Sequence, residues 1–219
     1  MEQSREVFRV GTDGVLLGAL ADVNNAGHVL EVGTGTGLIS LMLAQRNREA
    51  LFLGIDIQQE AVDLTRLNFE NSPFHDRLEN KLQDFKTFGS DRKFDLIVSN
   101  PPYFEESGST KDKIARQIIE LNGQQLISKA SELLSPTGIL SVIIPFESGD
   151  RWLKISGKLG LNLIRKVNIK GIEGSKVKRL ILEFSLMDKP LKETELIIEK
   201  SPRKYSDQYL ELTKEFHVF

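Results

Sequence analysis

The tetrapeptide Asn100-Pro101-Pro102-Tyr103 follows a continuous apolar run, Phe94–Ser99, and its residue types suit one kind of chemistry. Asn100 carries a carboxamide oxygen and Pro101 a backbone carbonyl. The prolines fix φ and push each preceding residue to an extended conformation, so both acceptors point in set directions. Two such acceptors can grip both N–H bonds of a planar amine. A conjugated amine is a poor nucleophile because its lone pair is delocalised, and the grip favours localisation as an electrophile approaches. Tyr103 supplies a flat face for a base taken out of its stack. As local structure alone, the same residues make a stiff turn. Their place, at the carboxyl end of a buried strand where open α/β sheets bind ligands, favours the chemical reading.

A second set lies upstream. Glu31-Val32-Gly33-Thr34-Gly35-Thr36-Gly37-Leu38 ends a short apolar strand and opens a helix. Strand, glycine turn and helix start make a nucleotide-type site, because glycine lets a ligand approach the backbone. Spacing narrows the choice. A dinucleotide fingerprint needs glycine at position 38, where Leu38 stands, and no G-K-[ST] follows for a P-loop. Asp56, 23 residues after Gly33, ends the next strand in Ile55-Asp56-Ile57. An acid there accepts both ribose hydroxyls or, alternatively, caps the following helix. Asp84, in Gln83-Asp84-Phe85, is placed to take an adenine amine or to stand as a solvated loop acid.

Positioning these residues takes alternating elements. Strand-like segments are expected at His28–Gly33, Leu51–Ile57, Leu78–Phe85, Phe94–Ser99 and Ile139–Pro145. Helical spacing marks Leu38–Arg46, Gln58–Asn71, Ile118–Leu134 and Trp152–Leu159. Asn162–Ile172 and Lys178–Met187 have no helix between them, which predicts an antiparallel hairpin at one sheet edge. A short strand at Glu195–Glu199 and a helix from Ser206 follow, while Glu105–Lys113 reads as a mobile loop. The pattern is α/β, mainly parallel, with helices on both faces. One domain over residues 1–219, with a strand–helix extension from about 195, accounts for the length.

Composition excludes other classes. The 219 residues include no cysteine, so disulfides, thiolate zinc sites and cysteine nucleophiles are out. The three histidines are far apart, and no apolar run reaches the ~20 residues of a membrane span, so a cytoplasmic protein is expected. Residues 1–150 carry 14 Lys/Arg against 22 Asp/Glu, and residues 151–219 carry 15 against 9. Nine basic residues (Arg151, Lys154, Lys158, Arg165, Lys166, Lys170, Lys176, Lys178, Arg179) and one acid, Glu173, fall within 151–181. Such a stretch either attracts a polyanion or forms a solvated polar face.

The glycine loop, Asp56 and Asn100–Tyr103 together resemble class I methyltransferases that use S-adenosyl-L-methionine on planar amines. Val10-Gly11-Thr12-Asp13-Gly14-Val15-Leu16-Leu17-Gly18-Ala19 is similar to the opening motif of the bacterial tRNA (adenine-N(6))-methyltransferases that modify valine tRNA at nucleotide 37. Ala115-Arg116 and the tail from Pro202 to Phe216 resemble the same family. The resemblance implies a Rossmann-like fold with a seven-stranded sheet and an edge hairpin. It implies S-adenosyl-L-methionine as cofactor, S-adenosyl-L-homocysteine as product and tRNA as partner, with no obligate protein partner. Carried over, Thr12, Asp13, Glu31, Gly33, Thr34, Gly35, Gly37, Asp56, Ile57, Asp84 and Asn100 surround the cofactor, and Asn100, Pro101, Pro102 and Tyr103 receive the target base. The family pattern has an aromatic, basic segment before the opening motif, and here only Met1–Arg9 precedes it, so a shortened amino terminus is expected. Alternatives are a release-factor glutamine methyltransferase, another nucleic-acid amino-methyltransferase and a non-catalytic binding module.

Overall fold

In the computed structural model the described residues are 1–3, 7, 10–101 and 123–216. Five apolar segments form parallel strands: β1 (His28–Val32), β2 (Leu51–Asp56), β3 (Leu78–Leu82), β4 (Phe94–Ser99) and β5 (Leu134–Pro145). β6 (Asn162–Ile172) and β7 (Val177–Ser185) form the antiparallel hairpin, with β7 against β5. Beyond seven strands, the short strand expected at Glu195–Glu199 is present in longer form, and a two-residue strand follows it. β8 (Lys192–Ser201) lies parallel to β6, and the two-residue β9 (Lys204–Tyr205) lies outside it, giving the order β3-β2-β1-β4-β5-β7-β6-β8-β9. The hairpin is therefore inside the sheet rather than at its edge. Lys166 meets Glu193 at 2.9 Å and Lys170 meets Glu195 at 2.8 Å across the β6–β8 register, so the strand expected at Glu195–Glu199 starts three residues earlier, at Lys192.

β5 also begins earlier than the apolar run suggests. Leu134 pairs with Phe94 and Ile139 with Leu96, so Ser135–Gly138 is an irregularity within the ladder.

Alternating strand residues feed two cores. On one face α1 (Thr12–Leu20), α2 (Leu38–Arg46), α3 (Gln59–Glu70) and α6 (Asp207–Thr213) bury Leu16, Leu43, Phe69 and Tyr209 against Val29, Phe52, Leu96, Val98 and Ile181. On the other, α4 (123–133) and α5 (Gly149–Lys158) bury Ile127, Ala130 and Trp152 against Leu30, Ile97, Val142, Leu182 and Phe184.

α1 has no apolar stripe to announce it, because Gly14, Leu16, Leu17, Gly18 and Ala19 are all buried. It lies close on α2: a Cβ on Gly14 would stand 3.2 Å from Leu38 Cδ2, and one on Gly18 2.7 Å from Met42 Sδ. Its last carbonyls are taken by arginines. Arg46 donates to Gly18 and Ala21 at 2.8 Å, and Arg165 donates to Leu20 at 2.6 Å. β6 and β8 run the same way as β5, so the glycine loop, Asn100, the hairpin tip and the β8–β9 turn share one end of the sheet. Among the described residues no helix is long and apolar enough to cross a membrane.

Candidate active site

The two sequence motifs meet through one register pair. Val32 is opposite Ser99, and the Ser99 hydroxyl donates to the Val32 carbonyl at 2.9 Å. Gly33 and Asn100 therefore leave neighbouring strands side by side, about 4.8 Å apart. Asn100 and Pro101 are half-buried, and no hydrogen bond among the described residues engages the Asn100 side chain. Pro102, Tyr103, the Glu105–Lys113 loop and Ala115-Arg116 lie outside the described residues.

The three loop glycines all have positive φ, +74° at Gly33, +56° at Gly35 and +79° at Gly37, a region that L side chains avoid. They differ in what surrounds them. A Cβ on Gly33 would have nothing within 4 Å, so its open side faces space that a ligand can fill. A Cβ on Gly37 would stand 2.7 Å from Phe69 Cε1, so that glycine serves the packing of α3. α3 also holds the loop by two buried polar residues: Thr65 donates to the Gly35 carbonyl at 2.8 Å, and Asn68 to the Thr36 carbonyl at 2.9 Å. Neither belongs to a motif of the sequence. The available signal is that both fall on the buried stripe Ala61, Val62, Thr65, Asn68, Phe69, where polar residues need partners.

The amides of this loop are already used. Gly33 and Thr34 donate to the Ile55 carbonyl at 2.9 and 3.1 Å, Gly35 to Asp56 Oδ2 at 3.0 Å, and Gly37 to the Thr34 carbonyl at 2.8 Å. Glu31 is 1% exposed, and its Oε2 accepts from the Thr34 hydroxyl and the Ser40 amide, both at 3.0 Å, and from the Ser40 hydroxyl. Burial pushes its carboxyl up to about 7, against the lowering effect of those donors. Thr34 is buried beside it. A pyrophosphate binds through free amides at a helix N-terminus. Here an acid and internal bonds occupy several of them, so the loop suits a ligand without phosphate.

Asp56 sits half-buried at the tip of β2. Its carboxylate accepts the Gly35 and Gln58 amides, each at 3.0 Å, which leaves about two of its four lone-pair sites for other donors. Ile57 beside it is 68% exposed. Asp84 stands near: the Gln83 amide donates to the Asp56 carbonyl at 2.8 Å, while the exposed Asp84 side chain accepts the Lys86 amide at 2.9 Å. Thr12 and Asp13 open α1 next to the start of α2, and Asp13 pairs with Arg179 Nε of β7 at 3.0 Å. A cavity of about 340 Å³, lined by residues such as His28, Leu51, Arg77 and Phe94, lies toward the other end of the strands and holds none of these groups.

The basic stretch is not uniform. Arg165, Lys166, Lys170 and Arg179 are held by Glu183, Glu193, Glu195 and Asp13. Lys154, Lys158, Lys176 and Lys178 are exposed and have no ion pair among the described residues.

Comparison with known proteins agrees with this geometry. The family model for the methyltransferase small domain matches residues 4–151. A tRNA1(Val) (adenine(37)-N6)-methyltransferase of Flavobacteriaceae bacterium (strain 3519-10) is 50% identical over 100% of this chain and 95% of its own. Enzymes of the same name from Phocaeicola vulgatus and Aliivibrio fischeri are 44% and 38% identical, over 98% and 95% of this chain and 92% and 90% of theirs. The chain belongs to this family. It is accordingly a methyltransferase. Among solved structures, one described as a predicted O-methyltransferase from Agrobacterium tumefaciens superposes with a TM-score of 0.76 at 19% identity, covering 95% of this chain and 98% of that one. The glycopeptide N-methyltransferase MtfA complexed with S-adenosyl-L-methionine gives 0.62 at 12% identity, over 83% and 90%. These two likenesses concern the fold, Rossmann-like and class I.

Proposed function

We propose that the protein transfers a methyl group from S-adenosyl-L-methionine to N6 of adenosine 37 in tRNA1(Val). The observation that carries this reading is the Val32–Ser99 pair, which sets the glycine cradle beside Asn100 in a chain similar over its whole length to enzymes of that name. Gly33 and Gly35 would line the cofactor, Asp56 would take the ribose hydroxyls, and the exposed Ile57 and Asp84 would border the adenine. Thr12 and Asp13 would lie at the methionine end, with Glu31 and Thr34 bracing the loop from behind. S-adenosyl-L-methionine, when bound, supplies an electrophilic methyl on sulfur and leaves as S-adenosyl-L-homocysteine.

Asn100 Oδ1 and the Pro101 carbonyl accept the two N–H bonds of the adenine amine and aim its lone pair at that methyl. With the cofactor bound, its methyl would pass from sulfur to that nitrogen, and the surplus proton on nitrogen would leave to water. No protein base is required for this sequence. Pro102 and Tyr103 are assigned to the target base, Tyr103 as its stacking face.

The test is methyl transfer from labelled cofactor to separate pools of tRNA, rRNA, DNA and release factor. Label is expected in tRNA, in the tRNA1(Val) fraction, and is expected to vanish when nucleotide 37 is changed to guanosine. Label in release factor instead would move the assignment to glutamine.

A further inference from the structure

Phe146 and Tyr205 are the aromatic side chains that stand exposed among the described residues, Phe146 at 47%. A single exposed apolar residue needs no explanation. Phe146 stands out because of where the sheet puts it. β4 ends at Ser99, opposite Val142, while β5 continues through Ile143, Ile144 and Pro145. At about 3.3 Å per residue, Phe146 stands roughly 10 Å beyond the level at which Asn100 leaves the neighbouring strand. That is too far to touch the amine held by Asn100, but within reach of the next nucleotide. The ring has a fixed base. It opens a 3-10 turn after Pro145, and Gly149 closes that turn so tightly on the sheet that a Cβ there would stand 2.7 Å from Leu180 Cδ1.

Cations lie on the neighbouring strand. Pro145 is paired with Arg179 in the antiparallel β5–β7 ladder, the turn that Phe146 opens packs against β7, and Lys178 precedes Arg179 on that strand. Lys178 is exposed and without an ion pair among the described residues, and so is Lys176 at the hairpin tip. The exposed acids Glu147 and Glu173 are nearby in sequence, so the rim is no broad cationic field. What it offers is one exposed flat ring and, on the strand its turn packs against, an exposed cation. That pair matches a single-stranded nucleotide, whose base stacks on aromatic faces in any sequence and whose phosphate takes a lysine.

We propose that Phe146 stacks on a nucleobase directly adjacent to the target adenine, with Lys178 on the phosphate between them. This rests on the proposed function and adds the site that holds the flanking strand. It is a positioning role: Phe146 touches the RNA, not the reacting amine.

The test uses the full chain and an anticodon stem-loop RNA. Phe146→Ala should raise KM for the RNA and its Kd by fluorescence anisotropy about 10-fold. It should leave kcat at saturating RNA within about 2-fold, leave cofactor affinity and melting temperature unchanged, and be rescued by Phe146→Trp. Stem-loops with an abasic residue on the 5′ or the 3′ side of the target then identify the partner. One of them should lose about 10-fold with wild type and nothing further with Phe146→Ala, the coupling that direct contact requires. An unchanged RNA Kd in Phe146→Ala, or additive losses with both abasic RNAs, overturns the inference. Wild type that binds the stem-loop through Phe146 but methylates no RNA would sink the proposed function instead.

Discussion

Burial holds the Glu31 carboxyl at about 7, against the usual 4.5. Between those values the folded protein binds a proton that the unfolded chain does not. Stability is therefore full at low pH and falls as pH rises through about 7, above which the deficit is constant. Two to three pK units correspond to about 3 kcal/mol. Glu31→Gln keeps the shape and removes the titration, so the melting temperature of the variant relative to wild type should climb between about pH 4.5 and 7 and then level. A flat difference curve would show that Glu31 ionises as freely as an exposed acid. Asn100 is the opposite case, a group whose side chain no described residue engages. Asn100→Ala should lower kcat about 10²–10³-fold, the usual scale for removing one preorganised polar contact to a reacting group, with cofactor affinity unchanged by calorimetry. Asn100, Asp56 and the glycines are legible in the sequence because local spacing carries their chemistry. Thr65 and Asn68 are not, since the carbonyls they hold, on Gly35 and Thr36, lie 30 and 32 residues away.

Among the elements, the glycine turn separates two jobs within five residues. An alanine at position 33 has space for its methyl but must adopt a left-handed backbone, at a cost of about 1–2 kcal/mol. At position 37 the same backbone cost is joined by overpacking against Phe69, about 1–3 kcal/mol more. Gly37→Ala should thus lower the melting temperature more than Gly33→Ala, while Gly33→Ala should lose more cofactor affinity relative to its stability loss. The reverse ranking in calorimetry and thermal melts would exchange the two roles. α2, β4 and β6 are readable because their apolar periods are clean. α1 is not, because a helix buried on every side shows no period, and the start of β8 is hidden by charges whose partners on β6 lie far away in sequence, so the expected strand there is too short. The docking of the extension beyond the hairpin is not legible for the same reason: strand order beyond β6 depends on pairings that spacing does not encode.

Over the whole molecule, charge is divided along the chain, and the structure sorts the basic part. Arg179 belongs with Asp13, so reversing its charge would disturb the start of α1 as well. Lys176→Glu with Lys178→Glu avoids this. The double variant should weaken tRNA binding and reduce the slope of log K against log salt by about 1.4 if both lysines meet single-stranded phosphates. Cofactor affinity should stay at the wild-type value. An unchanged salt slope would leave these lysines as a solvated edge. The parallel sheet with its hairpin is visible in the alternation of elements, whereas which cations are spent on internal pairs becomes visible only when the strands are laid side by side. The longest of those pairs also sets a clock. Asp13 lies 166 residues from Arg179, and Val32 lies 67 from Ser99. At about 5–20 residues per second, a ribosome makes the second partner of the first pair roughly ten to thirty seconds after Asp13. A nascent chain thus carries the glycine turn long before Ser99 and Arg179, the groups that tie β4 to β1 and β7 to α1, have been made.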